Sequence, residues 1–528
     1  SPNQRLHRYH HHQHHHQHHH HHDYGSTIRH YDAIIVGAGW AGLRATQTLL
    51  DSNMTNVLLL EANNYVGGRS KSLNEDGSIN NHHRTSHASA TNIPAELGSE
   101  WLYEHNAMSD YLKTHHYTDR AAIIDPKAYS GLLTGAEFYR QTLRADGTLR
   151  TKKDGKSHER KDQVWEDFRR FKKARIGELK KRFGKDRDES WGDTMKAYKK
   201  MRKYDLTEKE AEYIHLLNDV AKIEYTCDIH QVSLRENDLL DRDVPTTRYM
   251  GMRGVGFGNV ASQFGRHFQS KIKLNSKVTR IINYQDGDGR DENAIVKYSS
   301  NGRIEKVTAK TVLVTASLGV LKAGNIKFTP PLPEYKREVI DGMGFGVVNK
   351  CAMYWNDDDD IPWPKDEFWF KLIRSDEETK WTYFFNPSSY KRTSTLTAWI
   401  GGDDAVEMES RTDDEVVDRY VMPNLEAMFP GIRRPDRTVV TRWGSEENIL
   451  GTYSYKVAHR DFDDDAEDLK RRIGRSFFAG EATAGKWLGT TIGAWDSGEE
   501  AAEGMMKYLR EEGDGWTKLL LDVNENRD

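Results

Sequence analysis

Three glycines and a carboxylate carry the first chemistry legible in this 528-residue chain. Gly37, Gly39 and Gly42 stand as G-x-G-x-x-G, and Glu61 follows the apolar run Val57–Leu60. Before the glycines, Ala33–Val36 is apolar enough for one buried strand. After them, Leu43, Ala45, Thr46, Leu49 and Leu50 recur at helical spacing. Strand, turn, helix, strand and terminal acid form the βαβ layout that binds a dinucleotide. In that layout Gly37 makes the tight turn, Gly39 lets the backbone approach a pyrophosphate, and Gly42 lets the helix lie close to the strand. The helix N-terminus turns free N–H groups and a positive dipole end toward the phosphates. Glu61 accepts hydrogen bonds from the ribose hydroxyls.

Further stretches fall in order behind this one. Val66-Gly67-Gly68-Arg69 places two glycines and a bidentate cation just past the ribose position, suited to a second phosphate contact. Glu96-Leu-Gly-Ser-Glu-Trp101 sets Gly98 and Ser99 before a tryptophan. Met343-Gly-Phe-Gly-Val-Val-Asn-Lys350 ends in a strand-borne lysine, costly to bury beside aromatic residues unless it has a task. Thr441-Arg-Trp443, Gly451-Thr-Tyr-Ser454, Phe477-Phe-Ala-Gly-Glu481 and Gly489-Thr-Thr-Ile-Gly-Ala494 follow.

From about Tyr31 to Leu509 this series resembles the FAD-dependent amine oxidases, and among them the polyamine oxidase branch. The resemblance implies FAD as cofactor and a role for each motif. Gly68 and Arg69 belong to a GG-R extension of the dinucleotide motif. The backbone at Gly98 and Ser99 runs along the flavin ring, and Trp101 walls the substrate channel. Val278 contacts the adenine through its backbone. Lys350 sits behind the flavin and holds a water at N5. Trp443 lies near the flavin, and Tyr453 forms one wall of the amine site. Gly480 and Glu481 reach the ribityl or pyrophosphate region. Thr491 and Ile492 open a last helix whose N–H groups face the flavin pyrimidine. Lys350, Tyr453, Trp443 and Trp101 are thus the catalytic candidates. Thr452 stands where monoamine oxidases carry a flavin-bonding cysteine, so the FAD is expected to be non-covalent. Thr490 stands where many members carry a second aromatic wall, which opens the site to longer or bulkier amines.

Composition bounds the rest. The formal net charge is −4, which does not argue for a nucleic-acid partner. Two cysteines, Cys227 and Cys351, supply neither a disulfide framework nor a zinc motif. No apolar run approaches the roughly 18 residues of a membrane span. The His-rich segment Ser1–His30 reads as a disordered tail. His82, His83 and His87 fall in a polar stretch, Ser72–Asn92, that reads as an inserted surface loop, and no metal site is expected. The chain begins with Ser rather than Met and carries one sequon at Asn53, which together lean toward secretion and leave the compartment open. Between Tyr117 and Asn237, Val164, Phe168, Phe171, Ile176, Leu179 and Phe183 predict an amphipathic helix. Thr207 and Glu210 form a capping box that opens another helix through Tyr225. Phe368-Trp-Phe370, Trp381–Phe385 and Leu396–Ile400 read as strands, which the resemblance places on the floor of the substrate cavity.

The expected fold is α/β. A Rossmann-like FAD-binding domain (31–115, 240–345 and 440–513) is interleaved with an α+β substrate-binding domain (116–239 and 346–439), with tails at 1–30 and 514–528. The resemblance implies that hydride leaves a carbon bearing a neutral amine, that the resulting imine hydrolyses, and that O2 is reduced to hydrogen peroxide. The substrate is a small-molecule amine, a polyamine such as spermine or spermidine first. Two alternatives stay open: an L-amino-acid oxidase, which needs a cavity arginine for the substrate carboxylate, and a non-catalytic scaffold that keeps the FAD fold.

Overall fold

The βαβ unit forms as expected. Strand β1 (His30–Val36), helix α1 (Trp40–Asp51) and strand β2 (Val57–Leu60) follow one another, and β1 pairs with β2 in parallel from Ala33 opposite Val57 to Val36 opposite Leu60. Ala33, Ile34, Ile35 and Val36 are all buried, the mark of a parallel strand covered on both faces. This computed structural model describes residues 28–525 apart from 75–77, 81–94, 104–105, 116–120, 124–141, 144–154, 184–187, 235–248, 253–255, 284–292, 357–360, 365–368, 373–377, 390–393 and 461. The histidine tract and His82, His83 and His87 lie outside the described residues.

Around β1 the strands Ser476–Phe478, Arg303–Val314, β1, β2 and Ile272–Lys273 run parallel. The strand Arg303–Val314 also pairs antiparallel with Ala294–Ser300, which carries Ser276–Ile282 and then Lys327–Thr329. These eight strands make one sheet. Helix α1 and the C-terminal helix Thr491–Glu525 pack on one face, with Trp40, Phe264 and Trp495 at the centre of an apolar cluster. Helix Phe257–Arg266 buries Val260 and Phe264 in that cluster.

A second, six-stranded sheet has the order Arg437–Val440, Val348–Tyr354, Thr395–Gly401, Tyr383–Phe385, Trp369–Leu372 and Thr142–Leu143. Its neighbours are antiparallel except the last pair. Helices Gly155–Phe183, Trp191–Met201 and Glu208–Tyr225 pack together through Val164, Phe168, Trp191, Tyr198, Ile214 and Leu217. The capping box is present: the Glu210 amide donates to the Thr207 hydroxyl, and the Thr207 amide donates to the Glu210 carboxylate at 2.7 Å.

One expectation changes. Ser72–Leu73 is a buried strand rather than the start of a surface loop, and Asn80 is buried as well. The Asn80 amide donates to the carbonyls of Val66 and Ser70, and its Oδ1 accepts from the Ser72 amide. A polar side chain with three backbone partners holds the turn at Gly67–Ser70, where sequence polarity alone suggested solvent.

Candidate active site

One cavity of about 390 Å³ gathers residues from both sheets. Gly37, Gly39, Glu61, Gly68, Arg69, Gly98, Ser99, Trp101, Val278, Lys350, Trp443, Tyr453, Gly480, Glu481 and Thr491 all line it. Gly42 and Ile492 lie behind the wall. A Cβ on Gly42 would sit 1.9 Å from the Gly37 carbonyl oxygen, so this glycine sets how closely α1 approaches β1. Ile492 is buried at the start of the C-terminal helix.

The dinucleotide end is built on backbone. Gly37 has φ +102°, which L side chains rarely adopt. A Cβ on Gly39 would meet nothing within 4 Å, and neither would one on Gly480; both face open space. The Glu61 carboxylate accepts from the Ala38 amide at 2.6 Å and the Asn63 amide at 2.8 Å. Burial pushes the Glu61 carboxyl above its ordinary value, and these amides pull the other way. The Asn448 Oδ1 and Thr491 Oγ1 atoms are buried on the cavity wall with no protein partner, as groups awaiting a polar ligand would be. The open space over two glycines, the oriented carboxylate and the orphaned polar atoms fit an elongated dinucleotide such as FAD.

Arg69 and Glu481 are tied to each other. Arg69 Nη1 donates to Glu481 Oε1 at 2.9 Å and to the Thr452 carbonyl at 2.5 Å. Glu481 also accepts from the Gly489 amide, the Ser454 amide and the Ser454 hydroxyl. Glu481 therefore knots three chain segments together, and Nη1 of Arg69 is spent on that knot rather than on a phosphate. The demand for glycine at 98 is also local: a Cβ there would sit 1.7 Å from the Arg69 carbonyl oxygen.

The other end of the cavity is aromatic. Trp101, Tyr225, Trp369, Tyr383, Trp399 and Tyr453 line it. Trp369 packs at 4.5 Å from Tyr383, measured between ring centroids, and Trp101 meets Phe385 edge-on at 5.0 Å. The Tyr453 hydroxyl donates to the Ile223 carbonyl at 3.0 Å, which fixes its ring against the end of helix Glu208–Tyr225. Trp443 Nε1 donates to the Leu97 carbonyl at 3.0 Å. The Thr452 hydroxyl donates to the Gly346 carbonyl and accepts from the Val348 amide, so it is part of the wall's framework. Thr490 caps the C-terminal helix: its hydroxyl accepts from the Gly493 amide at 3.0 Å.

Lys350 forms the junction between the Gly98 segment and the aromatic wall at Trp399. Its Nζ donates to the carbonyls of Glu96 at 3.1 Å and Gly98 at 2.7 Å, and to Glu100 Oε2 at 2.7 Å. It also lies 4.1 Å from the centre of the Trp399 ring. Any water it held would have to share one of these protons. Sequence reading passed over Glu100, although a charged residue between Ser99 and Trp101 in a cavity-lining segment was the available signal. It named the strands of Trp369, Tyr383 and Trp399 without telling which side chains face inward.

Comparison with known proteins identifies the family. The family model for flavin containing amine oxidoreductases matches residues 40–506. The probable polyamine oxidase 4 of Arabidopsis thaliana is 27% identical over 503 residues, covering 92% of this chain and 89% of that protein. Polyamine oxidase 5 of Oryza sativa subsp. japonica is 26% identical over 508 residues, covering 92% and 91%. Among solved structures, a redesigned putrescine oxidase superposes with a TM-score of 0.60 at 18% identity, over 91% of this chain and 99% of that one, a likeness of fold. The family-model match over nearly the whole chain shows that this chain belongs to the flavin-containing amine oxidoreductases, FAD-dependent enzymes built on an α/β cofactor domain and a second, substrate-binding domain.

Proposed function

We propose that the chain oxidises a polyamine at a carbon next to nitrogen. The observation that carries this reading is the aromatic lining that shares one cavity with the glycine-lined groove, with the Glu224 carboxylate among its lining residues. Aromatic faces and carboxylates suit a flexible chain of methylenes and amines. The only arginine among the described lining residues is Arg69, whose Nη1 is held by Glu481 and the Thr452 carbonyl, so the arginine that an amino-acid carboxylate calls for is already engaged.

When bound, FAD would supply the two-electron acceptor for amine oxidation with O2 as the final oxidant. The protein's residues do the positioning. Gly37, Gly39 and the start of α1 receive the pyrophosphate, Glu61 the adenosine ribose, and the backbone at Val278 the adenine. Thr491 and the helix N-terminus behind it favour negative charge on the bound ring system. Tyr453, Trp399, Tyr383 and Trp369 exclude water and hold the amine. Lys350 brings a fixed positive charge to the junction, where it stabilises negative charge as oxygen takes up electrons. We assign the eight-stranded sheet and its helices (31–115, 240–345 and 440–513) to the cofactor domain and the six-stranded sheet with its helices (116–239 and 346–439) to the substrate domain.

A peroxide-coupled assay over spermine, spermidine, putrescine, monoamines and L-amino acids tests the reading. Spermine or spermidine should give the highest kcat/KM. Preferential turnover of an amino acid would replace it with the amino-acid oxidase alternative, and no turnover of any substrate would leave the scaffold alternative.

A further inference from the structure

We propose that Glu100 is a positioning residue that acts through Lys350: its carboxylate completes the socket that pins the ammonium in place. This rests on Lys350 working at the junction, as above. A lysine ammonium has three protons, and here all three are engaged, two by the Glu96 and Gly98 carbonyls and one by Glu100. The side chains of Lys350 and Glu100 are 4% and 3% exposed, so water does not screen either charge. An ion this deeply buried is costly unless paired and fully hydrogen-bonded.

Only one of the three acceptors carries charge. The carbonyls sit on a segment clamped from several sides. Glu96 accepts from the Phe257 amide at 2.6 Å and the Ser72 hydroxyl at 2.7 Å. The Leu97 amide donates to the Lys71 carbonyl at 2.8 Å, and the Ser99 amide to the Arg69 carbonyl at 3.2 Å. The backbone part of the socket is therefore held independently of Lys350, and Glu100 is its adjustable, ionic part.

The test is a double-mutant cycle of wild type, Glu100→Gln, Lys350→Met and the double variant. In the apoprotein, Glu100→Gln strands a buried ammonium, whereas the double variant buries no charge in the socket. The double variant should therefore melt at a higher temperature than Glu100→Gln. A Glu100→Gln chain too unstable to purify beside a folded double variant would be the same result in stronger form. In the holoenzyme, Lys350→Met should lower turnover in air by about tenfold or more, the scale of one lost electrostatic stabiliser, and Glu100→Gln should lower it as well, because the ammonium loses the partner that fixes its position. The double variant should be no slower than the worse single variant, because the carboxylate works only through the lysine. A double variant that melts below Glu100→Gln, or losses of turnover that multiply, would overturn the proposal. If wild type oxidises no amine, the functional reading fails, but the melting cycle still decides the role of Glu100.

Discussion

Glu61 offers a clean separation of cofactor binding from folding. Its carboxylate accepts two backbone amides, from Ala38 at 2.6 Å and Asn63 at 2.8 Å, and it is 5% exposed on the cavity wall. Glu61→Gln keeps the shape, removes the charge, and turns one acceptor oxygen into a donor. Folding loses one hydrogen bond outright and the charge on the other, but no longer buries a carboxylate, and that burial is the main cause of its raised pKa. These effects oppose each other, so the melting temperature of the apoprotein should change little. FAD binding has no such offset. A hydrogen bond to a charged group contributes roughly 1.5–3 kcal/mol. Losing one to the ribose should weaken FAD binding by about 10- to 150-fold, at about 1.4 kcal/mol per tenfold. Titrating apoprotein with FAD and following flavin fluorescence measures the dissociation constant directly. An unchanged constant in a folded Glu61→Gln protein would show that Glu61 only braces the glycine turn.

Three further outcomes are expected. Acid precipitation should release all the yellow colour into the supernatant, because Thr452 cannot form the thioether; colour left in the pellet would contradict non-covalent FAD. Gly42→Ala should abolish FAD binding and destabilise the chain by about 1–3 kcal/mol or more, since its Cβ would overlap the Gly37 carbonyl; this is readable by denaturant titration. Lys336 is buried against the Phe478 ring, donates to the Leu469 and Arg471 carbonyls, and is pushed down to about 7 by burial. Between pH 7 and its ordinary value of 10.5 the unfolded chain binds the extra proton, so this group makes stability rise with pH across that window and fall as pH drops toward 7. Lys336→Met should flatten that slope in denaturation curves, and an unchanged slope would mean that its carbonyl partners keep Lys336 charged throughout.

Local patterns made part of this molecule legible. The βαβ unit could be read because its glycine spacing, its apolar runs and its terminal acid are consecutive. The helix after Thr207 could be read because a capping box spans only four residues. The lysine that ends Met343–Lys350, with Trp443 and Tyr453, was found through resemblance, and the structure brings all three to one cavity. The aromatic floor was harder because register decides it. Lys350 pairs across strands with Trp399, and Trp399 with Tyr383, which puts the three in one row across the sheet. No window along the chain reveals that row. The same holds for the knot of Arg69 with Glu481 and the socket of Lys350 with Glu100, whose partners lie hundreds of residues apart in sequence. Gly98 shows a subtler gap: glycine was expected there for the flavin, and the nearest atom is the Arg69 carbonyl oxygen.

The most direct test of polyamine oxidation at this cavity is anaerobic mixing of the purified holoenzyme with spermine or spermidine while the flavin absorption is followed. The expected result is rapid bleaching of the bound flavin in wild type, bleaching that persists in Lys350→Met, and recovery of colour on admitting air that is at least about tenfold slower in the variant. A flavin that stays oxidised with every polyamine would contradict the substrate assignment, and recovery at the wild-type rate in Lys350→Met would contradict the role given to the junction lysine.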